Sequence, residues 1–276
     1  MNDQEKRALL RKIFGDPQGA IAPGITDALF ARLAQDCGYR ALHLSGNAIH
    51  RNFCLPDRNL LTVTQIAQRA AQIAEATDIP LIVDGGSACV ETIALARAVQ
   101  YYERAAALRF EDALVNEHGA SVDELAIAPI ALMTERIKAA ADARRDPSLV
   151  LIARCDSRPQ ESLAQVQDRL AAYAEAGADA LGVQLSEIDD FRQVGAAAPA
   201  PLVSMWPRGL MTAHEFIQTG FRVALLPSSV PLAALTAARE LLIELQRSGR
   251  DRDYFARQSE FTKTESWYKD LGSTSK

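Results

Sequence analysis

Short apolar segments that end in a polar residue recur along the sequence and predict buried strands that carry reactive groups at their carboxyl ends. The clearest is Leu81-Ile82-Val83-Asp84, followed at once by Gly85 and Gly86, which free the backbone to turn. The same arrangement places three more polar side chains at the ends of predicted strands: Ser45, Glu111 and Arg154. In an α/β barrel this end of a parallel strand holds the chemistry. Asp84 alone could simply cap the next helix, but capping is a poor explanation for four such positions.

The elements that must position these residues alternate regularly. Apolar segments predict strands at 21–24, 41–45, 81–84, 108–111, 150–154, 180–183, 201–204 and 222–226. Helical patterns are predicted at 2–14, 27–36, 64–76, 91–106, 129–144, 161–176, 214–219 and 232–247, with Thr26 as the cap of the second and a loop at 46–59. Eight alternations predict a (β/α)₈ barrel of the TIM type.

The length and composition of the chain limit the classes of protein to which it can belong. With 276 residues, 48% of them hydrophobic, the chain suits one barrel-sized domain over 1–276, in which 229–276 form a C-terminal helical segment and a polar tail. The formal net charge of −5 and the lack of a basic stripe argue against a nucleic-acid partner, and no apolar run is long enough for a membrane span. Four cysteines without CxxC spacing favour a reducing, cytoplasmic location.

Two further patterns concern ligands and partners. No strand is followed by G-x-G-x-x-G or G-x-x-x-x-G-K-[ST], so a nucleotide-binding fold has little support. The tail contains several aromatic rings, among them Tyr254, Phe261 and Trp267. Rings of this kind suit an exchanged helix or a subunit contact and so favour a homo-oligomer, a dimer or a tetramer, while disorder stays an alternative for residues 272–276.

Seven segments in order resemble the isocitrate lyase/phosphoenolpyruvate mutase superfamily. They resemble P-G-x-x-D-A-x-S-A-R-x-A at 23–34, G-F-x-A-x-x-x-S-G at 38–46, L-P-D at 55–57, the lead into the third helix at 60–62, I-E-D at 110–112, I-A-R at 152–154 and Y-x-E-A-G-A-D-x at 173–180. The resemblance spans about residues 20–245 and lies closest in pattern to the oxaloacetate decarboxylase and carboxyphosphonoenolpyruvate mutase-like branch. It implies an α/β barrel, an oligomer with a C-terminal helical extension exchanged between subunits, Mg²⁺ (or Mn²⁺), and a small 2-oxo or 2-hydroxy acid substrate.

The resemblance also implies roles for individual residues. Asp84 would contact the metal directly, while Glu111 and Asp57 would hold waters bound to it. Arg154 would bind a substrate carboxylate through its planar fork, and the backbone of Ser45-Gly46-Asn47 would hold the other end of the substrate. An alternative stays open for three of these residues: Glu111 and Arg154 could form an ion pair inside the barrel, and Asp57 could merely end a loop.

Three departures from the family pattern bear on activity. Gly86 stands where D-x-D-x-G-x-G has its second carboxylate, and Ser204-Met205-Trp206-Pro207-Arg208 lacks the asparagine that is usual after the seventh strand. The lyase loop K-[KR]-C-G-H is replaced by Asn116-Glu117-His118-Gly119, which lacks both the lysine and the cysteine. His118 could serve there as an acid or base, or it could be a solvated loop histidine.

The resemblance, taken together with these residues, implies a Mg²⁺-dependent lyase or decarboxylase that acts on a small 2-oxo or 2-hydroxy dicarboxylic acid through an enolate. Because the loop lacks the lysine and cysteine, decarboxylation of an oxaloacetate-like acid is favoured over methylisocitrate cleavage. Two alternatives stay open: a member that processes C–P bonds, and a barrel whose catalysis has decayed and which acts as a binding protein.

Overall fold

The computed structural model describes residues 1–56, 60–85, 91–114 and 126–271. Its strands are β1 (Ala20–Pro23), β2 (Leu42–Leu44), β3 (Leu81–Asp84), β4 (Ala107–Glu111), β5 (Val150–Cys155), β6 (Ala180–Val183), β7 (Val203–Met205) and β8 (Val223–Leu226). Its helices are α1 (Asp3–Gly15), α2 (Ala28–Asp36), α3 (Gly46–Asn52), α4 (Val63–Ala76), α5 (Thr92–Tyr101), α6 (Ile130–Ala143), α7 (Leu163–Glu175), α8 (Ile188–Ala197), α9 (Ala213–Gln218), α10 (Ser229–Ser248), α11 (Arg252–Ala256) and α12 (Phe261–Asp270).

The strands pair in parallel and follow chain order. One sheet runs β2-β3-β4-β5-β6 and the other runs β1-β8-β7. Single parallel bridges, Gly24 to His43 and Leu181 to Leu202, link the two sheets. The α/β class predicted from the sequence, with parallel strands alternating with helices, is confirmed, and the arrangement is TIM-barrel-like.

Alternate residues of each strand enter two separate apolar cores. Outward-facing residues such as Leu44 and Val83 pack in the larger core. Inward-facing residues such as Ile82 and Ile152 form a smaller core with three residues of α1: Leu10, Ile13 and Phe14. This smaller core also holds residues from the amino-terminal ends of strands, which leaves the inner face at the carboxyl ends for polar side chains.

Several local predictions were wrong. The stretch 46–59 contains α3, whose seven residues are too few to show an apolar period. Helix α8 was missed, since it is short and contains Gly195; a Cβ there would lie 1.7 Å from the Thr219 carbonyl oxygen, so the glycine permits a very close backbone approach. Asp27 caps α2 instead of Thr26, accepting a hydrogen bond from the Phe30 amide.

The chain divides into two compact units, residues 1–230 and 231–276. In the second unit the predicted polar tail is helical in part, as α11 and α12, and the rings of Phe255 and Phe261 stack with centroids 4.2 Å apart. Leu235 and Leu242 of α10 are largely exposed. The prediction that residues 1–276 form a single domain stays a prediction. None of the helices in the described ranges combines the length and apolar character that a membrane crossing needs.

Candidate active site

The carboxyl ends of β2 to β5 bring together most of the polar residues that the sequence singled out. Asp84 lies beside Arg109 in the β3–β4 register, and Glu111 lies beside Arg154 in the β4–β5 register. The Gly46 amide, directly after β2, lies 3.4 Å from Asp84 Oδ2. Residues from four consecutive strand ends therefore share one edge of the parallel sheet.

Asp84 is held by two buried side chains that the sequence analysis did not assign to the site. Arg109 Nη1 lies 2.5 Å from Asp84 Oδ1, and His43 Nε2 lies 3.3 Å from the same oxygen. Burial alone would raise the pKa of Asp84, but the charges of Arg109 and His43 outweigh it and hold that pKa well below its usual range. Asp84 is therefore a carboxylate at neutral pH.

The two residues that hold Asp84 carry buried polar atoms that have no hydrogen-bond partner among the described residues. Both ring nitrogens of His43 are fully buried, and Nε2 approaches Asp84 outside hydrogen-bonding geometry; Nε and Nη2 of Arg109 are likewise unpaired. A buried polar group left unpaired costs about 1–3 kcal/mol. Buried polar atoms without a partner are found at sites that bind a ligand or an ordered water, because binding there outweighs the cost in stability.

Arg154 is shared between two carboxylates. Its Nη2 lies 2.9 Å from Glu111 Oε2, and its Nε donates to Asp156 Oδ1 at 2.5 Å. Nη1 makes no hydrogen bond to any residue in the described ranges, and the side chain is 16% exposed. The Glu111–Arg154 ion pair that the sequence left as an alternative is thus present, and Nη1 is left without a partner among the described residues.

Burial raises the pKa of Glu111, and the negative charges of Asp156 and Asp84 add to this, while Arg154 opposes it. Gly182 on β6 makes room for the arginine, since a Cβ at that position would lie 3.2 Å from both Cβ and Cγ of Arg154. A glycine inside a strand often marks such a close approach.

Behind Asp156 lies a buried network on the outer side of the sheet. The Asp156 amide donates to Asp112 Oδ1 at 2.9 Å, and the Tyr173 hydroxyl donates to Asp112 Oδ2 at 2.7 Å. Arg169 approaches Asp112 at 3.8 Å and is anchored by Glu161. Burial and the charge of Asp156 raise the pKa of Asp112 to about 6. The network fixes the backbone that presents Asp156 to Arg154.

This network makes a prediction about stability. Tyr173→Phe removes a donor to a fully buried carboxyl group and is expected to lower the free energy of unfolding by about 1–3 kcal/mol. Urea unfolding followed by circular dichroism measures the change. Tyr268→Phe, at an exposed tyrosine, is the matched control and should change stability by less than about 0.5 kcal/mol. Equal stability of the two variants would contradict the buried hydrogen bond.

The other residues predicted for the site are Ser45, Asn47, Asp57 and His118. Ser45 is buried at the start of α3 without a side-chain capping bond, and Asn47 follows in the first turn. Asp57 and His118 lie outside the described residues, as does Gly86. Within the described ranges no group of three histidine, cysteine, aspartate or glutamate side chains is arranged to hold a metal ion.

Sequence reasoning missed Arg109, His43 and Asp156 as parts of the site. A signal existed for each, because side chains two apart on a strand share a face. Arg109 precedes Glu111 by two positions, His43 precedes Ser45 by two, and Asp156 follows Arg154 by two. This spacing of two residues could therefore have identified all three as sharing the inner face of the sheet with a predicted site residue.

The chain is similar to known proteins over most of its length. The family model described as phosphoenolpyruvate phosphomutase matches residues 10–246. A 2-methylisocitrate lyase of Aeropyrum pernix is 31% identical over 252 residues, covering 89% of this chain and 81% of that protein.

Solved structures show the same fold. The phosphoenolpyruvate phosphomutase of Streptomyces platensis subsp. rosaceus superposes with a TM-score of 0.83 at 24% identity, covering 96% of this chain and 97% of that one. A phosphonopyruvate hydrolase in complex with oxalate and Mg²⁺ gives a TM-score of 0.79 at 24% identity, covering 99% of both chains. With a family model matching residues 10–246 and a lyase 31% identical over 252 residues, the chain belongs to the isocitrate lyase/phosphoenolpyruvate mutase superfamily and is a carbon–carbon lyase.

Proposed function

We propose that the protein cleaves a carbon–carbon bond in a small 2-oxo or 2-hydroxy dicarboxylic acid, with Mg²⁺ (or Mn²⁺) as cofactor and an enolate as intermediate. The observation that carries this proposal is the pair of carboxylates at adjacent strand ends, Asp84 and Glu111, each set against a buried or nearly buried arginine. Carboxylates supply the hard oxygen ligands that Mg²⁺ takes, and the arginines suit an acidic substrate.

The charges of the described cluster fit a divalent cation. Three carboxylates, those of Asp84, Glu111 and Asp156, face the guanidinium groups of Arg109 and Arg154. The carboxylates outnumber the guanidinium groups by three to two, so these five side chains are net negative and would repel a dianionic acid on their own. Mg²⁺ usually needs only one or two protein carboxylates, because it keeps several waters and adds oxygens of the substrate. When bound, the ion supplies positive charge that stabilises an enolate as the adjacent bond breaks.

The protein's own residues have distinct proposed roles. Asp84 holds the metal, and Arg109 and His43 keep Asp84 ionised and fixed in place. Glu111 and Asp57 accept hydrogen bonds from waters around the ion. Arg154 binds a substrate carboxylate through Nη1, which has no partner in the part of the chain that the structure describes, while the backbone of Ser45-Gly46-Asn47 binds the other end of the substrate. His118, or solvent, returns a proton to the departing carbanion.

Within this class we favour decarboxylation of an oxaloacetate-like acid. A retro-aldol lyase must take a proton from the hydroxyl group and return one to carbon, and positioned groups contribute about 10²- to 10⁴-fold to such transfers. Decarboxylation of a 2-oxo acid omits the first transfer, so the segment 116–119 can lack the lysine and cysteine. The relatedness to a 2-methylisocitrate lyase favours carbon–carbon cleavage over C–P chemistry or a decayed barrel.

The proposal extends to the assembly of the protein. The eight strands would close into one barrel through the bridges at Gly24 and Leu181, and the second unit, with its exposed leucines on α10, would be exchanged between subunits of a cytoplasmic dimer or tetramer. Light scattering should then give a mass of at least twice 30.0 kDa. A monomer at micromolar concentration would contradict the exchange.

Calorimetric titration with oxalate, which mimics the enolate form of pyruvate, tests the proposed function. Oxalate should bind in the presence of Mg²⁺ and should bind at least about tenfold more weakly in EDTA, because the cluster alone is net negative. Asp189→Asn, at an exposed carboxylate of α8, is the control and should bind oxalate like the parent protein. Oxalate binding that is independent of Mg²⁺, or its complete absence, would refute the proposal.

A further inference from the structure

One buried histidine of α3, His50, has no part in the reaction proposed above. It follows Gly46 by four residues and therefore lies on the same face of the helix, one turn further along. Its Nδ1 lies 2.7 Å from the Gly46 carbonyl oxygen, and the Leu61 amide donates a hydrogen bond to its Nε2 at 3.2 Å. The ring therefore joins the first turn of α3 to the segment that leads into α4.

The hydrogen bond from Leu61 sets the state of the imidazole ring. A backbone amide can only donate, so Nε2 is the acceptor and carries no proton. The proton of the neutral ring then lies on Nδ1, which donates to the Gly46 carbonyl oxygen. His50 is therefore a neutral histidine whose two ring nitrogens make hydrogen bonds of opposite sense.

The Gly46 carbonyl belongs to the backbone that is proposed to bind the substrate. The carbonyl of Gly46 and the amide of Asn47 form one planar peptide unit, and in a trans peptide the two groups point in opposite directions. The hydrogen bond from His50 to the carbonyl thus also fixes the direction of the Asn47 amide. The preceding amide, that of Gly46, lies 3.4 Å from Asp84 Oδ2, so the peptide that His50 holds is adjacent to the site carboxylate.

His50 also holds the chain that follows α3. Its carbonyl oxygen accepts hydrogen bonds from the Phe53 amide at 3.1 Å and from the Leu55 amide at 3.0 Å, while its ring accepts from Leu61. Residues 57–59 lie outside the described residues, and His50 is bonded to the chain on both sides of them. The backbone before and after these three residues therefore depends on where His50 is placed.

We propose that His50 is a positioning residue for substrate binding, which acts through Nδ1–H by holding the Gly46–Asn47 peptide in the direction that the substrate requires. The hydrogen bond at Nε2 keeps the ring in the tautomer and orientation that this task needs. This inference rests on the proposed function, because it is the substrate of that proposal that binds to Ser45-Gly46-Asn47. His50 itself touches neither the substrate nor the metal.

Two amide side chains separate the two hydrogen bonds of the ring. The amide nitrogen of asparagine is bonded to Cγ, as Nδ1 of histidine is, so His50→Asn can keep the donor to Gly46 while it loses the acceptor for Leu61. The amide atoms of glutamine lie one bond further out, level with Nε2, so His50→Gln can keep the acceptor and loses the donor. With Mg²⁺ present, calorimetry should show oxalate affinity within about threefold of the parent value in His50→Asn and at least about tenfold weaker in His50→Gln.

Kinetics and stability distinguish positioning from a merely structural role. The KM for oxaloacetate should rise in His50→Gln while kcat stays within about threefold, because the residue acts on binding and not on the reacting atoms. Both variants lose a buried hydrogen bond and should melt at lower temperatures, so binding is measured well below them. A merely structural histidine would lower both melting temperatures without separating the two variants in oxalate affinity. His214→Asn and His214→Gln, at an exposed histidine of α9, are the matched controls and should bind oxalate like the parent protein.

A spectroscopic test uses the parent protein itself. In ¹⁵N-histidine-labelled protein the ring shifts of His50, assigned by their loss in either variant, should place the proton on Nδ1. When the Asn47 amide donates to oxalate, its peptide becomes more polarised and the Gly46 carbonyl becomes a better acceptor, so the Nδ1–H resonance should move downfield on addition of Mg²⁺ and oxalate. The ring signals of His214 should not move.

Three results would overturn the inference while oxalate binding by the parent protein still supports the proposed function. They are parent-like oxalate affinity in His50→Gln, equal weakening in both His50 variants, and a His50 ring that carries its proton on Nε2 or does not respond to bound oxalate. Loss of oxalate binding in the parent protein would instead refute the function itself.

Discussion

Asp84→Asn is expected to abolish Mg²⁺-dependent turnover and to weaken Mg²⁺ binding by at least about 10²-fold, because it removes the charged oxygen ligand assigned to the metal. The substitution keeps the shape of the side chain and leaves an oxygen that can accept from Arg109. It nevertheless removes the negative charge that balances this buried guanidinium. Breaking a buried ion pair costs about 3–5 kcal/mol, so we also expect a lower melting temperature.

Two measurements separate loss of function from loss of folding. Metal binding by calorimetry and circular dichroism spectra are compared well below the melting temperature of the variant. Asp189→Asn again serves as the control, since Asp189 is 81% exposed and should change neither quantity. A folded Asp84→Asn protein with unaltered Mg²⁺ affinity would show that Asp84 does not bind the metal. It would favour the alternative of a binding protein without catalysis.

Arg154→Lys is expected to lower kcat/KM by at least about 10²-fold. A lysine ammonium is a point charge and cannot at once pair with Asp156, pair with Glu111 and offer a further donor to the substrate, as the guanidinium does. Hydrogen bonds to charged groups are worth about 1.5–3 kcal/mol, so the loss of two of them accounts for this factor.

The effect of Arg154→Lys should appear mainly in substrate affinity. We expect oxalate binding to weaken in parallel with kcat/KM, while Mg²⁺ affinity measured without oxalate stays within about threefold of the parent value. Arg192→Lys is the control, at an arginine that is 66% exposed. A variant with normal oxalate affinity would show that Arg154 is only a structural partner of Glu111 and Asp156.

Much of the fold was predictable, because the apolar periodicity and the polar residues that follow the apolar segments indicate the same strand boundaries. β3 ends at Asp84 and β4 at Glu111, as expected from their sequences, because each strand carries three apolar residues that are buried before its terminal carboxylate. The helix α8 was not predicted, because its close packing through Gly195 against the next turn is a tertiary contact that no local pattern reveals.

The partners of the site residues were less predictable than the residues themselves. Sequence spacing places Asp84 at a strand end, but only the register between β3 and β4 sets Arg109 against it. His43 was interpreted as a packing residue, and it is fully buried, yet its ring lies 3.3 Å from Asp84 Oδ1. The pairing of Arg154 with both Glu111 and Asp156 depends likewise on the β4–β5 register and on the twist of the chain after β5.

The most direct test is the rate of pyruvate release from oxaloacetate and from 2-methylisocitrate, each measured with Mg²⁺ and again with excess EDTA. The Asp84→Asn protein corrects for spontaneous decarboxylation of oxaloacetate in the presence of Mg²⁺. We predict turnover of oxaloacetate that needs both the protein and the ion, and no turnover of 2-methylisocitrate. Rapid cleavage of 2-methylisocitrate without turnover of oxaloacetate would contradict the proposed reaction, and rates that are unchanged in EDTA would contradict the proposed metal.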